Sequence, residues 1–95
     1  MKFKFKDETL HLVVGKFSNG RIALSCLDKE QMPFARISVN LPSEEVREGF
    51  TVVDTNNLSE DFILCLIENG IIGEEPVTHY LSGFCSYPLY KVTLS

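Results

Sequence analysis

The chain has 95 residues, of which 44% are hydrophobic and 23% charged, and its 9 basic and 13 acidic side chains give a formal net charge of −4. This composition excludes intrinsic disorder as the main state, and the length suits a single domain over residues 1–95. The chain contains no apolar run of the roughly 18 residues that a membrane span needs, and its start lacks the apolar block of a signal peptide. We therefore expect a soluble, cytoplasmic protein that does not bind membranes.

The first third of the chain predicts three strands. Lys and Phe alternate over residues 2–6, which predicts a strand with one solvated face, and its lysines suit the edge of a sheet. A second strand is predicted over residues 9–17 and a third over residues 21–27, joined by a tight reversal at Asn19-Gly20. The third strand places Cys26 on its apolar face, so we expect this thiol to be a core residue.

The middle of the chain predicts two further strands separated by a charged connection. Apolar residues alternate over residues 34–41, which predicts a fourth strand that Pro42 ends. Residues 43–49 fit one helical turn capped by Ser43, and residues 50–53 form a short apolar strand.

One helix is predicted over residues 58–69. Asn57 and Glu60 have the spacing of a capping box, and Gly70 supplies a left-handed cap at the other end. At 100° per residue, one arc of the helix is apolar and faces the sheet: Leu58, Phe62, Ile63, Cys65, Leu66 and Ile67.

The rest of the chain predicts strands and an aromatic loop. Residues 71–76 are interpreted as a loop and residues 77–82 as a strand, whereas residues 82–88 predict an ordered loop or a bulged strand. Residues 89–94 form the last strand. The resulting fold is α+β, an antiparallel sheet of about six strands with one main helix packed on one face.

Charge is unevenly distributed along the chain. Residues 1–36 carry a local charge of +3, from seven basic and four acidic side chains, whereas residues 37–75 carry −8, from one basic and nine acidic side chains. Such an acidic segment attracts basic partners and repels nucleic acid, so we expect no direct nucleic-acid binding. The same carboxylates could instead only solvate a helix and two loops.

The leading candidate site lies in this acidic segment. On the predicted helix, Leu64 is an apolar side chain on the outer face among carboxylates, an arrangement typical of a protein contact. We predict a partner-binding surface with Leu64 at its centre, formed by Glu44, Glu45, Glu48, Glu60, Asp61, Leu64, Glu68, Glu74 and Glu75.

The competing hypothesis is a small enzyme or ligand-binding domain at residues 82–90. A thiol beside an imidazole can form a nucleophilic thiolate, and Cys85 and His79 are the candidates. No oxyanion hole or third orienting group is evident, so we predict that the protein is not an enzyme. A third hypothesis is a homo-oligomer in which an edge strand pairs across a two-fold axis.

Cofactors and metals are not expected. The odd set of three cysteines predicts reduced thiols, and none of the cysteines or histidines has the spacing of a chelating pair. The six glycines are scattered, without the spacing of a phosphate-binding loop.

The chain contains three distinctive strings: VNLP within residues 34–42, VDTNN within residues 50–57 and SGFCSYPLY at residues 82–90. In these strings it resembles a family of small bacterial proteins of unknown function. Plasmids, conjugative elements and phages carry such proteins, and the resemblance covers residues from about 10 to 92. It implies a mobile-element protein, most simply a non-enzymatic inhibitor of a bacterial defence system, such as an anti-CRISPR or anti-restriction protein. Its partner would be a defence nuclease with a basic surface. The strings could equally be structural, since Asn56-Asn57 suits a helix cap and residues 87–90 the last strand.

Overall fold

The computed structural model describes residues 1–41 and 44–94, which form two antiparallel sheets and one short helix. The first sheet is a meander in chain order, built from β1 (Lys2–Phe5), β2 (Glu8–Lys16), β3 (Ile22–Leu27) and β4 (Pro33–Arg36). The second sheet contains β5 (Ser38–Val39), β6 (Phe50–Val53), β7 (Thr78–Ser82) and β8 (Cys85–Lys91). Its spatial order is β5-β6-β8-β7, and helix α1 spans Glu60–Glu68.

The small antiparallel domain with one main helix is confirmed, and the described chain is mostly β. The prediction of one sheet of about six strands is only roughly right, because the strands form two sheets of four. The difference arises at Ile37, where the strand predicted over residues 34–41 divides into β4 and β5. The Ile37 amide donates to the carbonyl of Leu24 in β3 at 2.9 Å, and its own carbonyl accepts from the Asp54 amide at 2.9 Å. The Ile37 backbone therefore makes hydrogen bonds with both sheets, and its fully buried side chain lies in the core.

The first sheet follows the predicted alternation. Phe3 is buried and the lysines of β1 are exposed, and β1 lies at the sheet edge, as predicted. The Asn19-Gly20 reversal is confirmed by the left-handed φ of +85° at Gly20. Cys26 is buried in the core as expected, but Val14 is 58% exposed because β2 extends beyond the core at that end.

Ser59, and not Asn57, caps helix α1. Ser59 is extended, with φ −72° and ψ 156°, and its Oγ accepts from the Phe62 amide at 3.2 Å. The Asn57 side chain instead donates to Asp54 Oδ2 at 2.9 Å, so the predicted capping box is wrong. The helix ends as predicted, with Gly70 at φ +71°.

The helix packs where both sheets contribute to one core. The Phe62 ring contacts aromatic rings of the first sheet, with centroids 6.4 Å from Phe3 and 5.0 Å from Phe5. Val53 and Tyr90 of the second sheet belong to the same buried cluster. The segment predicted as a loop over residues 71–76 does begin irregularly, but its two isoleucines, Ile71 and Ile72, are buried core residues.

The charged connection before β6 contains no helical turn in its described part, residues 44–49. Pro42 and Ser43, which were predicted to end a strand and to cap that turn, lie outside the described residues. Arg21 anchors the connection, because its guanidinium donates to the carbonyl of Leu41 at 2.6 Å and to that of Glu44.

The aromatic stretch at residues 82–88 is a regular hairpin, not an irregular loop. A two-residue turn at Gly83-Phe84 connects β7 to β8, with Gly83 at φ +64°. Pro88 lies within β8 opposite His79. The last strand therefore begins at Cys85 and not at residue 89 as predicted, since residues 85–89 of β8 pair with β7.

Candidate functional site

Helix α1 forms one wall of a shallow groove of about 480 Å³. Its apolar lining includes Leu58, Leu64 and Tyr90, and two exposed carboxylates, Glu60 and Glu74, also line it. Leu64 is 54% exposed, so an apolar side chain is offered to solvent beside two negative charges. In this groove the predicted centre, Leu64, meets Glu60 from the preceding turn of α1 and Glu74 from the segment after the helix.

Leu64 also lines a second depression, of about 320 Å³, which lies between α1 and β1. The acidic residues there are Asp61 and Glu68, and the lysines Lys4 and Lys6 face them from β1 and the turn after it. The charge of Asp61 and Glu68 is therefore partly compensated locally. Leu64 consequently stands between one depression of purely acidic charge and one of mixed charge.

Two of these carboxylates have a structural role at the start of helix α1. Glu60 and Asp61 lie in its first turn, where a negative charge interacts favourably with the helix dipole. Glu68 lies in the last turn, where the dipole opposes it and no basic residue accompanies it. Glu68 and Glu74 thus have no role in stabilising the helix ends.

The remaining predicted acidic residues lie elsewhere. The Glu45 carbonyl accepts from the Tyr80 hydroxyl at 2.6 Å, and Tyr80 pairs with Tyr87. Because Tyr87 and Tyr90 are three residues apart in β8, they point to opposite faces of the sheet. Glu45 therefore lies on the face opposite the α1 groove.

Three more predicted residues lie outside the groove. Glu44 neighbours Glu45, and Glu48 lines a depression with the basic residues Lys16, Arg21 and Arg47. Glu75 is exposed next to Glu74 but does not line the groove. The structure therefore divides the predicted acidic surface, and Glu60, Leu64 and Glu74 form its coherent part.

The proposed thiol–imidazole pair is not assembled. Cys85 is opposite Ser82 in the hairpin, whereas His79 is opposite Pro88. His79 and Ser82 are three residues apart on β7, so the side chains of His79 and Cys85 project from opposite faces. Imidazole activation of this thiol is thus excluded by the sheet register.

Cys85 instead lies beside Tyr87 on the same face of β8. A hydrogen bond with Cys85 raises the pKa of the Tyr87 phenol, and the nearby Asp54 carboxylate raises it further. The Asp54 Oδ1 atom is buried and has no hydrogen-bond partner among residues 1–41 and 44–94. The Asn56 side chain also donates, through Nδ2, to the Ser86 carbonyl at 3.3 Å, so the VDTNN and SGFCSYPLY strings meet in space.

The sequence pattern does not predict this polar cluster. It predicts a helix cap at Asn56-Asn57 and an ordered loop or bulged strand around Tyr87, whereas the contact between them depends on the pairing of β6 with β8. The available signal was the pair of strings that carried the family resemblance. None of the grooves described above opens onto the cluster, and its contacts tie β8 to the segment after β6.

Two of the thiols, Cys26 and Cys65, are held in the protonated, weakly nucleophilic form at neutral pH. Burial raises the pKa of Cys26 to about 11. Burial, and to a smaller extent the nearby Glu68 charge, raises the pKa of Cys65. All three cysteines are free. Within the described ranges, no three His, Cys, Asp or Glu side chains are grouped to hold a metal ion.

No helix in the described part of the chain has both the length and the apolar character needed to cross a membrane. Comparison with known families finds one model, described as Domain of unknown function (DUF4313), that matches residues 9–95. No curated protein and no solved structure matches the chain.

Proposed function

We propose that this chain, which belongs to the Domain of unknown function (DUF4313) family, is a non-enzymatic interaction protein that binds a basic protein surface through helix α1. The observation that carries the proposal is the exposure of Leu64 in the groove that it shares with Glu60 and Glu74. Protein contacts commonly combine an apolar centre with a polar rim, and the carboxylates favour a partner with lysines or arginines.

The charge of the groove supports a protein partner over a nucleic-acid one. The groove carries Glu60 and Glu74, and the chain as a whole carries a net charge of −4. Phosphates would be repelled, whereas a basic protein surface would be attracted over distances up to the Debye length of about 8 Å at physiological salt. Mimicry of DNA would need a denser row of charges than the separated acidic groups provide.

The partner class follows from the resemblance of the three sequence strings. Mobile-element proteins of this size often inhibit host defence, so we propose a defence nuclease or its guide complex as the target and contact with its basic surface as the mechanism. The competing enzymatic function is less well supported, because His79 and Cys85 lie on opposite faces of their hairpin.

The test is recovery of partners from a lysate of a bacterium that carries CRISPR and restriction systems, at low and high salt. We expect the wild type to recover a defence nuclease, with less recovery at high salt. Leu64→Lys should reduce recovery at least about tenfold, because it places a cation in the centre of the contact. Val14→Lys is the matched control, since Val14 is 58% and Leu64 54% exposed.

A second pair of variants separates the acidic groups. Glu60→Gln with Glu74→Gln should weaken the recovery, whereas Glu45→Gln with Glu48→Gln should leave it unchanged, because the latter residues lie outside the groove. Recovery of no nuclease, or recovery that Leu64→Lys leaves intact, would contradict the proposal.

A further inference from the structure

Strand β7 lies at one edge of the second sheet and is unusually open. Its five residues, Thr78–Ser82, carry no charge and no proline, and all except Tyr80 are exposed. The neighbouring apolar side chains are also exposed: Leu81 at 78%, and Phe84 at the turn completely. An edge strand of this kind offers unpaired backbone groups and apolar surface to another strand.

The other sheet edges in the described part of the chain are protected. Lysines alternate along β1, and β4 begins with Pro33 and has an irregular register with β3. The fourth edge, β5, contains only two residues. Charged side chains, proline, irregular pairing and short length are the features that prevent edge-to-edge association, and β7 has none of them.

The hairpin register identifies the backbone groups that β7 offers. A two-residue turn closes on a pair that exchanges backbone hydrogen bonds, here Ser82 with Cys85, and such pairs alternate along an antiparallel ladder. Tyr80 and Ser82 therefore bond inwards to β8. The N–H and C=O groups of His79 and Leu81 point outwards from the sheet edge.

We infer that β7 pairs with β7 of a second copy of this chain, antiparallel and across a two-fold axis at Tyr80. This register places His79 opposite Leu81 of the second copy, so the outward backbone groups of both exchange hydrogen bonds. Thr78 then lies opposite Ser82, a hydroxyl pair favourable across strands. The second sheets of the two copies become one continuous sheet.

Self-pairing is favoured because the strand is complementary to itself in hydrogen bonding and in charge. Glu74 and Glu75 precede β7, and an antiparallel arrangement places them beside the Gly83-Phe84 turn of the second copy, which carries no charge. A parallel arrangement would bring the glutamates of both copies together, which like-charge repulsion disfavours. The hydrogen bonds of this contact come from the β7 edge, whereas the proposed partner contact is centred on Leu64 of α1.

The test is sedimentation equilibrium of the full chain from about 5 to about 200 μM, because dimer formation depends on concentration. We expect the wild type to reach twice the mass of one chain. Leu81→Pro should remain monomeric, since it removes an outward N–H that β8 does not use. Leu81→Lys, which adds a charge to the sheet edge, should also remain monomeric, and it replaces the proline variant if that variant fails to fold.

Two controls make the result specific to β7. Val14→Lys and Leu64→Lys should dimerise like the wild type, because Val14 belongs to β2 and Leu64 to α1, outside the strand that pairs. Hydrogen exchange should also show that the His79 amide is protected in the wild-type dimer and exposed in the Leu81→Lys monomer. A wild type that stays monomeric, or a dimer in which the His79 amide exchanges freely, would overturn the inference.

Discussion

The hydroxyl oxygens of Ser38 and Thr51 lie 2.6 Å apart in the buried space between the two sheets. Ser38 Oγ accepts from the Leu24 amide at 2.9 Å, and Thr51 donates to the Ile22 carbonyl at 3.3 Å. The two hydroxyls thus link β3 of the first sheet to β5 and β6 of the second. Each of these buried polar groups has a partner, which is the condition for such a network to stabilise a core.

Ser38→Ala should lower the free energy of unfolding by about 1–3 kcal/mol, because it leaves the buried Leu24 amide without an acceptor. Thr51→Val should have an effect of similar size, since it leaves the buried Ser38 hydroxyl without this partner and the Ile22 carbonyl without its donor. Urea denaturation measures both. The control is Ser86→Ala, whose exposed side chain should matter by less than about 0.5 kcal/mol. A Ser38→Ala variant as stable as this control would show that the network contributes nothing.

Ser59→Ala should lower the free energy of unfolding by about 0.5–2 kcal/mol, since the Ser59 side chain accepts the Phe62 amide at the start of α1. Asn57→Ala should cost less, because the Asn57 side chain bonds the exposed Asp54 Oδ2 and no helix amide. Thermal unfolding followed by circular dichroism compares them. A larger effect at Asn57 would restore the capping box that the sequence pattern favours.

Leu66→Ala should destabilise the fold by about 2–5 kcal/mol, because Leu66 is fully buried on the inner face of α1. Leu64→Ala should change stability by less than about 0.5 kcal/mol, since Leu64 is exposed. Urea denaturation of the two variants provides the comparison. If Leu64→Ala unfolded the protein, a loss of partner binding by Leu64 variants could not be assigned to the groove.

Alkaline pH should destabilise the protein partly through Cys26. Burial raises the pKa of this thiol from 9.0 to about 11, so the folded state holds its proton more tightly than the unfolded state. The stabilisation is present below pH 9 and is lost as the pH rises to about 11. Cys26→Ala should flatten this pH dependence by up to about 2 kcal/mol. Equal slopes in the two proteins, measured by urea denaturation across this range, would contradict the assignment.

Arg21→Ala should release the connection before β6, because the Arg21 guanidinium holds the carbonyls of Leu41 and Glu44. Limited digestion with a glutamate-specific protease should then cleave several-fold faster after Glu44 and Glu45. Lys16→Ala is a control for the loss of a nearby positive charge. Unchanged cleavage in Arg21→Ala would mean that other contacts hold the connection.

The sequence by itself determined the elements that depend on neighbouring residues. Alternation over residues 2–6 predicted an edge strand with exposed lysines, and Asn19-Gly20 predicted a hairpin, because a left-handed φ is a property of the turn residues. The apolar arc of α1 and its end at Gly70 were also confirmed. The same local pattern placed Leu64 on the outer face of the helix.

Only the tertiary structure decided which segments meet. Strand pairing is chosen by partners distant in sequence, so the division of residues 34–41 at Ile37 appears only when β5 pairs with β6. The same dependence joins Glu74 to Leu64 in one groove and separates His79 from Cys85. A one-residue change in register moves a side chain to the opposite face of a sheet, and alternation along one strand does not reveal its register with a partner distant in sequence.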